Sequence, residues 1–175
     1  QDKSLPALCY ADIADNPGGG GRGNTTFILS ALYEAGAKGV AIGPFWDPAA
    51  AEQAHQAGLN ATLDAELNTL DPTEFAQPFT ARARVLGLSD GKVEVIWGTA
   101  KNVMLDHGPM AALEFDGIIV VVTTHRFQAL TLAQFESVSV DPRKMRTVVV
   151  KSRGHFRAHF EEVFAPEQIY EIDAP

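Results

Sequence analysis

Apolar positions along this chain change period twice. Residues 5–14 form an apolar run that ends in the turn-rich segment Asn16-Pro17-Gly18-Gly19-Gly20-Gly21. A helical pattern over residues 25–35 follows, with Asn24 or Thr25 able to cap its start and Gly36 suited to the left-handed position after its last turn. Residues 39–45 read as a short buried strand. Asp47-Pro48 is a strong helix start, with Asp as N-cap and Pro at the first helical position, and that Ala-rich helix ends at Gly58. A strand–helix–strand–helix order predicts parallel strands with helical crossovers.

In the middle third the pattern becomes alternating. Residues 59–68 alternate apolar and polar without error, as a strand with one wet face does. Residues 79–88 and 93–97 continue in that style, joined through Ser89-Asp90-Gly91. Asp116-Gly117 separates two apolar runs, residues 110–115 and 118–122, and is a two-residue hairpin signal. The last third returns to the first pattern. Thr131-Leu132-Ala133-Gln134 matches a capping box. Residues 147–150 read as a buried strand, a helix is expected from about Ser152 until Pro166 stops it, and residues 168–172 form a final strand. The fold class expected is α/β: one domain over residues 1–175, with a mostly parallel sheet, helical crossovers and an antiparallel segment inserted at about residues 60–115.

Composition narrows the function classes. Of 175 residues, 46% are hydrophobic and 21% charged, which excludes a disordered tail or a coiled coil. The longest purely apolar stretch is far too short to span a membrane. A net charge of −8, from 14 basic and 22 acidic side chains, argues against nucleic acid as a partner. The clustered Arg143, Lys144 and Arg146 read as solvated surface. The lone Cys9 reads as core; without an internal disulfide the chain suits a reducing compartment, and a cytoplasmic location is expected. The chain begins at Gln1, and Gln1-Asp2-Lys3-Ser4 reads as linker. We therefore expect a domain of a longer polypeptide, with a processed complete protein as the alternative.

Ligands of open parallel sheets bind beyond the carboxyl ends of the strands. Those positions hold Asp12, Asp15, Asn16 and the glycine segment after the first strand, and Trp46 and Asp47 after the second. Thr123, Thr124, His125 and Arg126 follow residue 122; Lys151, Ser152 and His155 follow residue 150. Such groups are costly to bury unless paired or serving a ligand. The plainer reading makes them helix caps and loop residues. The glycines would let backbone N–H groups approach an anion or a developing oxyanion, helped by the following helix N-terminus. No Gly-Lys-Ser/Thr follows, so this is not a Walker loop, and Gly18, Gly20 and Gly23 meet only the bare G-x-G-x-x-G spacing. Asp12 and Asp15 suit the roles of metal ligand, general base or orienting group. His155 and His159 have helical i, i+4 spacing but lack the Glu of a zinc-peptidase motif, and they read as surface histidines. His55 and His107 are expected to be exposed.

The run Ala11-Asp12-Ile13-Ala14-Asp15-Asn16-Pro17-Gly18-Gly19-Gly20, followed by Gly23-Asn24 and Thr26, resembles the opening of the C-terminal domain of the microcystinase C (MlrC) family. That pattern is roughly A-D-x-x-D-N-P-G-G-G-x-x-G-D-x-T; Asn24 stands where the pattern has Asp. Further agreement lies in Glu34-Ala35-Gly36, Gly43-Pro44-Phe45-Trp46-Asp47-Pro48, Arg126 with Gln128, Val150-Lys151-Ser152 with His155-Phe156, and Ile172-Asp173-Ala174-Pro175.

The resemblance implies a two-domain, metal-dependent amide or peptide hydrolase. Its zinc would be held mainly by an N-terminal domain absent here, the expected partner of this chain; no complete metal set is expected on these residues. Asp12 and Asn16 would face the reaction as catalytic residues. Asp15, Gly18, Gly19, Gly20, Thr26, Arg126, Lys151 and His155 would bind substrate. Two other classes stay open: a small-molecule or anion-binding module using the glycine loop without metal, and a structural or dimerisation domain. Homo-oligomers are compatible with either.

Overall fold

A computed structural model describes residues 5–173 apart from Asp71, Phe75 and Thr99. The opening Gln1-Asp2-Lys3-Ser4 segment and the closing Ala174-Pro175 lie outside the described residues. Ten strands follow in chain order: β1 (Leu8–Asp12), β2 (Val40–Trp46), β3 (Thr62–Leu67), β4 (Phe79–Ser89), β5 (Lys92–Glu94), β6 (Met104–Asp106), β7 (Met110–Phe115), β8 (Ile118–Thr123), β9 (Thr147–Val150) and β10 (Ile169–Ile172). Among the described residues four α-helices accompany them: α1 (Phe27–Glu34), α2 (Pro48–Ala57), α3 (Ala133–Glu136) and α4 (Arg157–Phe160).

Eight strands form one mixed sheet in the order β10-β1-β9-β2-β8-β7-β4-β3. The β10-to-β8 half is parallel and the β8-to-β3 half antiparallel. The fold is therefore the expected α/β class with an antiparallel insertion. Alternation along the central strands splits the core in two. Val40 and Ile42 of β2 join Val120, Val122 and Val149 in a layer with Leu29 of α1 and Ala50, Ala51 and Ala54 of α2. Ala41, Val121, Val148 and Val150 point the other way, into a layer with Phe135 of α3 and Phe156, Phe160 and Phe164. Each Val, Leu, Ile or Phe side chain among them withdrawn from water contributes about 1.5–3 kcal/mol.

Local signals hold where expected. Asp47 caps α2 by accepting the Ala50 N–H (3.0 Å), and Gly58 ends it. Asp116 and Gly117 take φ of 47° and 91°, closing the β7–β8 hairpin. Gly36 takes φ of 66° after α1, and Cys9 is core, its thiol pushed by burial to about 12.

Other expectations are corrected. Residues 92–94 do not extend the main sheet, because both edges of β4 are already taken by β3 and β7; β5 pairs with β6 in a separate two-stranded sheet. Thr26, not Asn24 or Thr25, precedes α1 and makes no side-chain cap, since those two side chains are bonded to Asn68 and Asp15. In the Thr131 segment only half of the box forms. Gln134 Oε1 accepts the N–H groups of Leu130 and Thr131 (2.7 and 3.1 Å), while Thr131 Oγ1 lies 2.7 Å from His159 Nδ1. The last helix is one turn, Arg157–Phe160, because Gly154 and the bonds of Ser152 and His155 to Gln128 hold the preceding residues in turns.

Two histidines expected at the surface are buried. His159 is 3% exposed, with Leu132 N–H donating to its Nδ1. His107 is fully buried, edge-on to Phe127, and its Nε2 lies 3.1 Å from the Gln134 amide nitrogen. That bond makes Nε2 the acceptor and leaves the ring proton on Nδ1, which has no partner among the described residues. Burial is the largest influence on this ring and holds its pKa at about 4 against an ordinary 6.5; Asp106 opposes the shift. The unfolded chain therefore takes up this proton first as pH falls. The contribution to stability is complete above about pH 6.5 and lost on descending to pH 4, amounting to roughly 3 kcal/mol. Replacing His107 with Phe removes the titration. Urea unfolding at several pH values should show wild type losing roughly 3 kcal/mol relative to His107→Phe between pH 7 and pH 4; a constant difference would contradict the assignment.

Candidate functional site

The parallel strands β1, β9, β2 and β8 all end at one edge of the sheet, and their following residues meet there. The arrangement starts from a buried lysine. Lys151, the first residue after β9, points back under the glycine bend, its Nζ 3.0 Å from Asp12 Oδ2 and 2.7 Å from Asp15 Oδ2. It also donates to Thr25 O (3.1 Å) and Thr25 Oγ1 (3.2 Å), and sits 5.3 Å from the Phe45 ring centroid. All three ionic side chains are 2% exposed. An ammonium has three N–H groups, and four acceptors surround this one.

Both carboxylates accept further hydrogen bonds. Asp12 Oδ1 accepts the Asp15 N–H (3.3 Å). Asp15 Oδ1 accepts from Gly23 N–H (2.6 Å), and its Oδ2 accepts from Thr25 N–H (2.7 Å) and Thr25 Oγ1 (2.9 Å). Burial by itself would raise the Asp15 pKa. The Lys151 charge and the hydrogen bonds from Lys151, Thr25 and Gly23 outweigh it and hold the carboxyl below its ordinary value.

The glycine bend is bonded within itself. Gly18 N–H donates to Asn16 Oδ1 (2.9 Å), Gly19 and Gly21 N–H donate to Asn16 O (3.0 and 2.8 Å), and Gly20 N–H donates to Pro17 O (3.2 Å). The bend closes on itself as a 3-10 turn, Pro17–Gly19, and Gly18, Gly19 and Gly20 offer no free N–H cradle. The anion beneath the bend is the chain's own Asp15. Asp12 and Lys151 are buried with it, at 1% exposure each. Thr26 is 2% exposed and donates its hydroxyl to Gln77 O, fastening the start of α1. Asn24 donates to Asn68 Oδ1 (2.7 Å), a bond that the Asp of the pattern would not make.

Outside the sealed triad lies an open groove of about 440 Å³, lined by Asn16, Gly18, Gln128, Arg153, His155 and Arg157 among others. Gln128 organises it. Its amide Nε2 is 3.2 Å from His155 Nδ1, and its Oε1 accepts from Ser152 Oγ (3.4 Å). Gly18 must be glycine for this contact, since a Cβ there would lie 2.2 Å from Gln128 Oε1. Arg126 is exposed at the neighbouring strand end, stacked 5.5 Å from the Trp46 ring centroid; Trp46 is itself fixed by its Nε1–H to Thr124 O (3.1 Å). Of the expected site residues, the groove gathers Asn16, Gly18 and His155; Asp12, Asp15, Thr26 and Lys151 are buried, and Gly19, Gly20 and Arg126 are exposed outside its lining. Sequence reasoning missed Arg153, although it lies two residues beyond Lys151 at the same strand end. The more prominent lysine drew the assignment.

Among the described residues no three His, Cys, Asp or Glu side chains are grouped closely enough to hold a metal ion. His155 and His159 do not converge as a pair: the first is exposed and bonded to Gln128, the second buried against Thr131 and Leu132. The residues present do not by themselves fit a zinc site, and no reaction step is assigned to a metal on this chain.

Removing Lys151 would strand two buried carboxylates. Lys151→Met is expected to cost about 3–5 kcal/mol, the range for breaking a buried ion pair from one side, and Asp15→Asn in the same background should recover part of it. Denaturant unfolding of the three proteins measures both; a loss under about 1 kcal/mol would show the triad to be solvated.

The chain matches the model of the MlrC C-terminus over residues 10–175. It is 26% identical over 156 residues to microcystinase C from Sphingomonas sp, covering 89% of this chain and 30% of that protein. The crystal structure of a candidate metallopeptidase from Mesorhizobium sp. BNC1 superimposes with a TM-score of 0.83 at 25% identity, covering 97% of this chain and 34% of the other. The chain thus spans about a third of the length of these relatives. The match begins inside β1 and takes in the triad, the bend and the groove: the chain belongs to the MlrC C-terminal family.

Proposed function

We propose that this chain is the substrate-binding part of a metal-dependent amide or peptide hydrolase, whose zinc is held by an N-terminal domain of the same polypeptide. The observation that carries this reading is the groove. Polar groups from three strand ends open to solvent there, beside a rigid bend, within a domain whose relatives include microcystinase C and a candidate metallopeptidase. In this reading the sealed triad is scaffold. It fixes the bend, and the bend fixes Asn16.

Asn16 is the residue assigned to the reacting end of the substrate. Its Oδ1 is used within the bend, accepting the Gly18 N–H, so its Nδ2 is the side of the amide left to face a ligand. An amide N–H held this way is suited to the oxygen of a scissile carbonyl, where one donor is worth about 10²–10³ in turnover. His155 has the acceptor side of its ring occupied by Gln128 and presents Nε2–H outward. Arg126 offers a charged, stacked guanidinium at the rim. The glycine bend has its amides committed internally, which disfavours an anion-binding module built on that loop.

Two measurements on the full-length protein test this. Hydrolysis of a linear peptide, followed by mass spectrometry, should be abolished by a chelator and restored by zinc; activity indifferent to metal removal would sink the hydrolase reading. Asn16→Asp keeps the acceptor that caps the bend and removes the donor. It should lower kcat by about 10²-fold with an unchanged melting temperature, and undiminished kcat would remove Asn16 from the reaction.

A further inference from the structure

The groove has a charge opposite to that of the protein around it. The chain carries −8 overall, yet the groove's ionised side chains are Arg153 and Arg157 against the single carboxylate of Glu171. These three are not equivalent. Arg157 lies 3.8 Å from Glu171 and 3.8 Å from Glu161, and covers the Phe156 ring, so its charge is answered locally. Arg153 is exposed and has no ion pair among the described residues. It is the uncompensated cation of the groove.

Its surroundings select the ligand further. Arg153 and His155 flank Gly154, where a Cβ would meet nothing within 4 Å, so the wall between them is open. The bond between Gln128 Nε2 and His155 Nδ1 turns the imidazole so that its remaining N–H is free to donate. Gln128 is itself held by Ser152 Oγ, and Ser152 is fully buried. A planar guanidinium fork next to an oriented N–H donor matches a carboxylate, which can accept two parallel bonds from Arg and a further one from a neighbour.

We propose that this groove is a carboxylate-recognition subsite, in which Arg153 and His155 Nε2–H hold an acidic group of the substrate. The inference deepens the proposed function and rests on it for the word substrate: it makes the preferred substrates peptides or amides bearing a carboxylate near the bond cleaved. Arg153 is a specificity residue in this scheme. Gln128 is a positioning residue acting through His155, and Gly18 is the residue that gives Gln128 room.

The test is a binding measurement, so its outcome is separate from that of the metal-dependence experiment. Full-length protein is titrated with glutarate, with its uncharged diamide and with inorganic phosphate, observing the His155 imidazole by NMR and affinity by calorimetry. Glutarate should bind and shift the His155 signal, the diamide should do neither, and phosphate should bind more weakly than glutarate. Arg153→Gln should weaken glutarate by about 10- to 100-fold, the range for losing a charged hydrogen bond. Arg153→Lys, which keeps the charge and loses the fork, should fall between. Arg143→Gln, at a distant surface ion pair, should change nothing. The proposal is overturned if glutarate does not bind, if the diamide binds equally well, if phosphate binds as tightly, or if Arg153→Gln binds as the wild type does. Any of these could occur in an enzyme that still hydrolyses peptides with zinc.

Discussion

A lysine ammonium buried between two aspartates is the constraint on which the rest of this edge of the sheet depends. Placing an ion in a protein interior is expensive, and mutual attraction offsets the cost only when every remaining hydrogen-bonding position is also used. Here they are used. Lys151 reaches four acceptors, Asp15 accepts three further hydrogen bonds, and Asp12 accepts the Asp15 N–H. Two acids against one base leave an excess negative charge. The backbone donors of Gly23, Thr25 and Asp15 are what make that excess tolerable.

This solution decides what the glycine bend is for. A bend rich in glycine before a helix invites an external anion, and the same amides could have formed an oxyanion site. Instead Asp15 fills the position beneath the bend, and the Gly18 to Gly21 amides bond within the turn. The glycines serve close approach. Without a side chain at Gly18, Gln128 comes within reach of the bend and in turn orients His155. The polar groups that line the open groove are amides, an imidazole and arginines, while the conspicuous acids and lysine at the bend are buried.

The sheet explains why these groups converge. Parallel strands β1, β9, β2 and β8 all deliver their ends to one edge, whereas β7, β4 and β3 lie beyond the antiparallel switch at β8. Ala65, Leu67, Phe79, Ala83 and Val85 of the inserted segment join the layer with α2. On the other face, Phe135, Phe156 and Phe160 pack against one another and leave no exposed aromatic in the short helices carrying them. Both arginines of the groove are carried by the segment that runs from β9 into α4, so the same packing that anchors α4 sets the cationic wall.

The sequence by itself determined whatever obeys a short, fixed spacing. The alternation over residues 59–68 yields a strand over its Thr62–Leu67 part, and the Asp116-Gly117 turn and the Asp47-Pro48 helix start, which report geometry imposed within a few residues, appear as read. So does the resemblance carried by the glycine segment, because a motif is local. Tertiary structure alone decided the rest, where partners lie far apart in the chain. Lys151 meets Asp15 across 136 residues, and Gln134 meets His107 across 27. Nothing in the vicinity of His107, His159 or Lys151 announces burial, since polar side chains are ordinarily cheaper in water. They go inside because distant residues supply the missing hydrogen bonds. The strand that β5 pairs with was likewise settled by which edges of β4 were already occupied, a competition between segments that no local pattern records.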